Sequence, residues 1–210
     1  LFPEIIEYQP YSICNANCNY CPVGALNRQD KLKGHDISDK VFNELVEQTR
    51  GHKITRISPH FNCEPLLSNT LPHQIKTWKN VHPASSVDLS TNGVFLTEEM
   101  ALELDDAGLD ILELHYMGVK KDFHELAMKT NYEKVTANIE KIVALKNKNR
   151  LKMQIYIFAH RMNGASLNEW HEFSNKWKKK GVEVVLGPLW NRAGYYGKDF
   201  LKKKKGVILS

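Results

Sequence analysis

Along this 210-residue chain, six apolar-rich runs of strand length alternate with segments of helical spacing. That alternation constrains the fold more than any other feature. Parallel strands need long crossovers, usually helices, and a strand–helix series supplies them. The spacing predicts strands over residues 5–13, 53–61, 86–91, 110–116, 151–159 and 182–186. Between them, Ser38 caps a helix that carries Val41, Phe42, Leu45 and Val46 on one face. A second helix, starting near Ser68, carries Leu71, Ile75 and Trp78. Thr97 opens a third that Gly108 stops. Tyr132, Val135, Ile139, Ile142 and Val143 mark a fourth, and Ser166 or Asn168 opens a fifth with Trp170, Phe173 and Trp177.

The strands are not uniformly apolar. Leu112, Leu114 and Tyr116 fall on one face of the fourth, with Ile111, Glu113 and His115 on the other. In the fifth, Met153, Ile155 and Ile157 oppose Gln154, Tyr156 and Phe158. The second and third split likewise, with Arg56, Ser58 and His60, and Asp88, Ser90 and Asn92, on the polar side. A flat sheet covered on both faces would read as near-continuous apolar runs. The split predicts an α/β fold that is a partial (β/α)6 TIM-like barrel, with parallel strands, helices outside and a polar lumen. In such folds chemistry sits at the C-terminal ends of the strands, where Cys14, Glu64, Asn92 and His115 fall.

Three of the four cysteines, Cys14, Cys18 and Cys21, crowd into eight residues. Soft thiolates gathered on one loop suit a metal. Three cannot close a four-coordinate site. Either a fourth ligand such as His35 or Cys63 completes structural zinc, or one metal position stays open for chemistry. Disulfides among such close neighbours would close very small loops, so a reducing, cytoplasmic setting fits better. The net charge of +5 owes four charges to Lys202, Lys203, Lys204 and Lys205, so no nucleic-acid footprint is implied. No apolar run has the length of a membrane span, and none has the pattern of a signal peptide. Leu1-Phe2-Pro3 reads like mid-sequence, and the chain reads as an excised piece.

The Cys-x3-Cys-x2-Cys spacing, with Tyr20 before the last cysteine, resembles the hallmark of radical S-adenosylmethionine (SAM) enzymes. Asn62-Cys63-Glu64-Pro65 is similar to that family's Gly-Gly-Glu-Pro, and Leu89-Ser90-Thr91-Asn92-Gly93 to its Thr-Asn-Gly strand end. The resemblance spans about residues 4 to 190. It implies that Cys14, Cys18 and Cys21 hold a [4Fe-4S] cluster whose fourth iron is chelated by SAM. It implies reductive cleavage to a 5′-deoxyadenosyl radical and hydrogen abstraction from a peptide, protein or sugar-like substrate. The implied partner is a one-electron reductant such as flavodoxin or ferredoxin. Tyr20, Asn62, Glu64, Pro65, Ser90, Asn92, His115 and Gln154 are the expected cofactor-binding residues; no catalytic side chain is assigned. The alternative is a non-catalytic zinc or iron–sulfur module.

The chain departs from the family pattern in places. Both glycines before Glu64 are replaced, and His115-Tyr116-Met117-Gly118 stands where many relatives have Ser-Leu-Asp-Gly. Lys129 stands where relatives often carry Arg, and reads as a surface residue. Tyr156 and Arg161 are further candidates for SAM or substrate contact. Strand parity points Cys63 away from the lumen, as a small buried hydrophobe rather than a hydrogen-atom donor of the kind some radical SAM epimerases use. Trp190 to Gly194 resembles the segment that leads to the cysteine-bearing extension of SPASM-type relatives, whose extra cysteines this sequence lacks. The expected division is a core over 1–195 and the start of an extension or linker over 196–210.

Overall fold

The structure is a computed structural model that describes residues 2–25, 33–161 and 164–188. Six strands form one parallel sheet in the order of the chain: β1 (Ile5–Glu7), β2 (Arg56–Ser58), β3 (Ser86–Thr91), β4 (Ile111–His115), β5 (Gln154–His160) and β6 (Glu183–Gly187). The helices are α1 (Pro22–Ala25), α2 (Asp39–Gln48), α3 (Leu71–Val81), α4 (Glu98–Ala107), α5 (Lys121–Met128), α6 (Tyr132–Asn147) and α7 (Leu167–Lys179). Right-handed crossovers between strands added always on the same side put every helix on one face. The other face is left open, which is the expected half-barrel.

Register places the parity split as the sequence predicts. Ser90, Glu113 and Tyr156 sit side by side across β3, β4 and β5 on the open face. Leu89, Leu112 and Ile155 pair across the same strands on the helix side, all buried with Ile57, Val87, Leu114 and Ile157. Trp78, Trp170 and Trp177 fill the layer between sheet and helices. Ser38 and Thr97 cap α2 and α4 through their side chains, and Ser166, rather than Asn168, caps α7 in a reciprocal capping box with Glu169.

Two strands are much shorter than expected. β1 stops at Glu7, seven residues before Cys14. The chain then leaves the sheet to pair with residues 35–37: Ser12 N–H donates to His35 O, and Ile37 N–H to Pro10 O. β2 stops at Ser58 because Pro59 has no N–H for the ladder. The second helix begins at Leu71, after a short 3-10 turn over Pro65–Leu67. Helices α1 and α5 were not anticipated. In α5, buried Phe123, His124, Ala127 and Met128 repeat at a four-residue interval, a signal present in the sequence. Lys129, exposed as expected, closes α5 in a left-handed conformation. The proposed boundary at 195/196, the lysine run and residues 190–194 lie outside the described residues.

Candidate active site

The cysteine loop is held from two sides. Helix α5 ends toward it, and the last carbonyls of any helix lack partners within the helix. Asn19 N–H donates to Ala127 O at 2.9 Å, and Asn19 Nδ2 donates to Leu126 O at 3.2 Å. The Cys18 thiol donates to Met128 O at 3.6 Å. On the sheet side, Glu64 N–H donates to Ile13 O, just before Cys14. Asn92, at the end of β3, donates from Nδ2 to Asn15 Oδ1 at 2.9 Å and to Cys14 Sγ at 3.8 Å. Ala16 N–H donates to the same sulfur at 3.4 Å.

Glu64 ties these parts together. Its side chain is 2% exposed. Oε1 accepts from Thr91 Oγ1 at 2.5 Å and from Leu66 N–H at 3.2 Å, and Oε2 accepts from Asn92 N–H at 2.9 Å. Burial pushes its pKa up against those three donors. The carboxylate thereby fixes the end of β3, which in turn fixes Cys14.

Three thiols fit a charged cluster. Burial first, and the Glu64 charge second, push the Cys14 thiol well above its ordinary pKa. Burial, with Cys21 next, pushes Cys18 up to about 12. Three bare thiolates here are unfavourable; coordinated metal removes that penalty and deprotonates them. The two N–H groups aimed at Cys14 Sγ suit a ligated thiolate. Among the described residues, no three metal-ligating side chains gather closely enough to share one ion.

Cys14, Cys18 and Cys21 line one cavity of about 340 Å³ at the C-terminal ends of the strands. Of the expected cofactor-binding residues, Tyr20, Glu64, Ser90, Asn92 and His115 line it too. Tyr20 is buried and meets the His160 ring edge-on at 5.2 Å, while His160 Nδ1–H donates to Pro188 O at 2.9 Å. His115 stacks on Phe158, and its Nε2 is 2.7 Å from Glu113 Oε1, which also accepts from Ser90 Oγ at 2.5 Å. Burial opposes ionisation of Glu113, but its hydrogen bonds with His115 and Ser90 outweigh it and hold the carboxyl below its ordinary range. His60 Nδ1 accepts from Ser90 N–H at 3.2 Å, so the neutral ring carries its proton on Nε2, 4.0 Å from Asp88 Oδ2. Burial keeps His60 neutral by lowering its pKa, against the pull of Asp88.

The other expected residues lie elsewhere. Pro65 is the buried first residue of the 3-10 turn and Asn62 sits in the bend before it; neither lines the cavity. Gln154 is a correction. It is the first residue of β5, paired with Ile111, and lines a pocket at the opposite, N-terminal end of the strands. Parity was right but depth along the strand was not used. Tyr156 is on the open face below the cavity, and Arg161 is exposed past β5. Cys63 is a second correction: it lines the cavity. Alternation cannot be carried past Ser58, where the strand ends. His60, Glu113 and His160 were visible as polar-face residues but were not singled out as site residues.

Residues 8–173 match the radical SAM superfamily, and the chain belongs to it. A probable GTP 3′,8-cyclase of Methanococcus aeolicus is 28% identical over 78% of this chain and 52% of its own length. An S-adenosyl-L-methionine-dependent 2-deoxy-scyllo-inosamine dehydrogenase of Niallia circulans is 29% identical over 68% of this chain and 55% of its own. The chain thus spans about half the length of the curated relatives it matches. SuiB of Streptococcus suis, solved bound to S-adenosylmethionine, shares the fold, with TM-score 0.72 over 92% of this chain and 42% of that one at 11% identity. The chain is thus a radical SAM domain, whose family cofactors are a [4Fe-4S] cluster and SAM. No helix among the described residues is long and apolar enough to cross a membrane.

Proposed function

We propose that Cys14, Cys18 and Cys21 hold the cluster and that SAM lies between it and the polar wall of the half-barrel. One observation carries the reading: the three thiols, Glu64 and Asn92 converge on a single cavity at the strand ends. The bound cofactors supply one-electron cleavage of the SAM sulfonium and hydrogen abstraction from substrate. The chain's part is to place them. Asn92 and Ala16 hold Cys14, and α5 holds Cys18 and Asn19. Tyr20, buried against His160, packs the floor beside the cluster loop. His115 and Ser90 present polar atoms to the SAM ribose and to substrate. Asn62 and Pro65 shape the bend that carries Glu64. Electrons come from a carrier of the flavodoxin or ferredoxin kind, and the substrate is a polar molecule of the peptide, protein or sugar-like class.

Anaerobic reconstitution with iron and sulfide tests this. A [4Fe-4S] absorption spectrum that SAM perturbs is expected. Cys18→Ala is expected to lose the cluster and abolish 5′-deoxyadenosine formation under dithionite. Unchanged formation in that variant, or stoichiometric zinc with no response to SAM, overturns the assignment.

A further inference from the structure

The cavity wall is asymmetric in charge. Its described lining includes Glu7, Glu64 and Glu113 with three histidines, and no lysine or arginine. The three carboxylates are not equivalent. Both oxygens of Glu64 are taken by chain donors. Glu7 faces Arg56 at 3.5 Å. Glu113 differs: Oε1 takes both of its hydrogen bonds, from Ser90 and His115, and Oε2 has no partner among the described residues. The group is ionised at neutral pH, three-quarters buried, and fixed in place by neighbours on two strands. A partly buried carboxylate with a vacant oxygen gains most from a charged donor.

An anionic ligand meets the reverse situation. Two like charges close together repel, and the repulsion grows where burial lowers the effective dielectric. Phosphate recognition ordinarily draws on arginine, lysine or a glycine-rich turn, and the described wall offers no basic side chain of either kind.

We propose that the cavity takes an amine-bearing substrate rather than a phosphorylated one, with Glu113 Oε2 accepting from the substrate ammonium. Ser90 and His115 orient Glu113 and act as positioning residues for it. His60, neutral with Nε2–H toward Asp88, and His115 stand on the same wall as partners for hydroxyl or amide groups. The assignment rests on the radical SAM reading of this cavity and narrows its substrate class.

The test uses the reconstituted full chain with SAM, followed by saturation-transfer NMR. The probes are glucosamine and Nα-acetyl-lysine amide, each against its N-acetylated counterpart, and GTP. At least one free amine is expected to bind tenfold or more tightly than its neutral counterpart, with GTP no tighter than that amine. Glu113→Gln is expected to remove the preference while iron per chain stays at the wild-type level, since Oε1 remains an acceptor for Ser90. Equal binding of amine and acetylated forms by the wild-type protein overturns the proposal, and so does GTP binding tighter than either amine. A preference that survives Glu113→Gln removes Glu113 as the anchor. Failure to load iron or respond to SAM would instead overturn the cofactor assignment, which is read separately from the same sample.

Discussion

The two ends of the half-barrel use charge in opposite ways. At the N-terminal end of the strands lies a pocket of about 450 Å³, larger than the cavity of about 340 Å³ at the C-terminal end. Lys79 and Asp110 of its lining, and Asp105 and Lys146 beside it, are engaged with the backbone. Asp105 Oδ1 accepts from the N–H groups of Lys152 and Met153, both at 2.7 Å. Asp110 Oδ2 accepts from Val87 N–H and from Lys79 Nζ, which also donates to Ser85 O. Lys146 donates to three successive carbonyls, from Leu151 to Met153. These side chains satisfy loop groups that no strand or helix pairs. At the other end, Glu64 does similar work, but Glu113 Oε2 has no partner among the described residues, and three thiols line the cavity. Volume alone favours the N-terminal end; the polar atoms left unsatisfied favour the end proposed as the site.

The largest effect is expected where structural and functional networks coincide. Glu64→Ala leaves three buried donors without an acceptor, a loss on the order of 4 kcal/mol at one to three for each unsatisfied group, less what relaxation and relief of carboxylate burial return. Urea unfolding measures it. Because Asn92 loses its anchor, iron per chain is expected to fall as well. A variant that stays within 1 kcal/mol of wild type and loads iron fully would separate the β3 end from the cluster loop and break the contrast between the two ends.

Acid should distinguish the ends next. His124 lies within α5, the helix that holds Asn19 and Cys18. Its Nε2 bonds with Thr130 Oγ1 at 2.9 Å, and its buried Nδ1 has no partner. Burial lowers its pKa to about 4. Between pH 6.5 and 4 the unfolded chain binds a proton that the folded chain excludes. The associated stability is thus fully present above pH 6.5 and is lost as the pH falls toward 4, by about 3 kcal/mol at 1.36 per pKa unit. Urea titrations at pH 7 and pH 5 are expected to show part of that loss, and His124→Gln to flatten the difference. At pH 5, the Asn19 amide should exchange sooner relative to pH 7 than the amides of Lys152 and Met153. An unchanged pH slope in the variant would remove His124 as the cause.

The sequence carried the architecture because two independent periodicities agreed. Strand parity separated Leu112 and Leu114 from Glu113 and His115, and the strand–helix order required parallel pairing. It placed Cys14, Cys18, Cys21, Glu64 and Asn92 in connections that leave the C-terminal ends of strands, and all five line one cavity. It failed where a local pattern was extended beyond its element. Parity continued through Pro59 turned Cys63 away from the cavity it lines, and parity without depth put Gln154 at the wrong end. It also missed α5, whose short amphipathic repeat is weak against its many charged residues. Nothing in a linear pattern shows that the end of that helix, more than a hundred residues after Cys18, supplies the carbonyls that seat the cysteine loop.

The smallest effect gives the sharpest test of the contrast. Asp110→Asn keeps the side chain's shape and can still accept from Val87 N–H, but it loses the charge facing Lys79. Both partners are partly exposed, so the ion pair contributes at most about 1 kcal/mol. A small shift in the urea midpoint is expected, with iron per chain, the SAM-induced spectral change and the amine preference all unaltered. The reason is physical distance along the strands. Asp110 precedes β4, and the cavity begins with Glu113 and His115 at its far end. A fall in iron loading or in amine binding would show that charge at the N-terminal end reaches the cavity after all. The two ends would then have to be treated as one electrostatic unit rather than as a scaffold and a site.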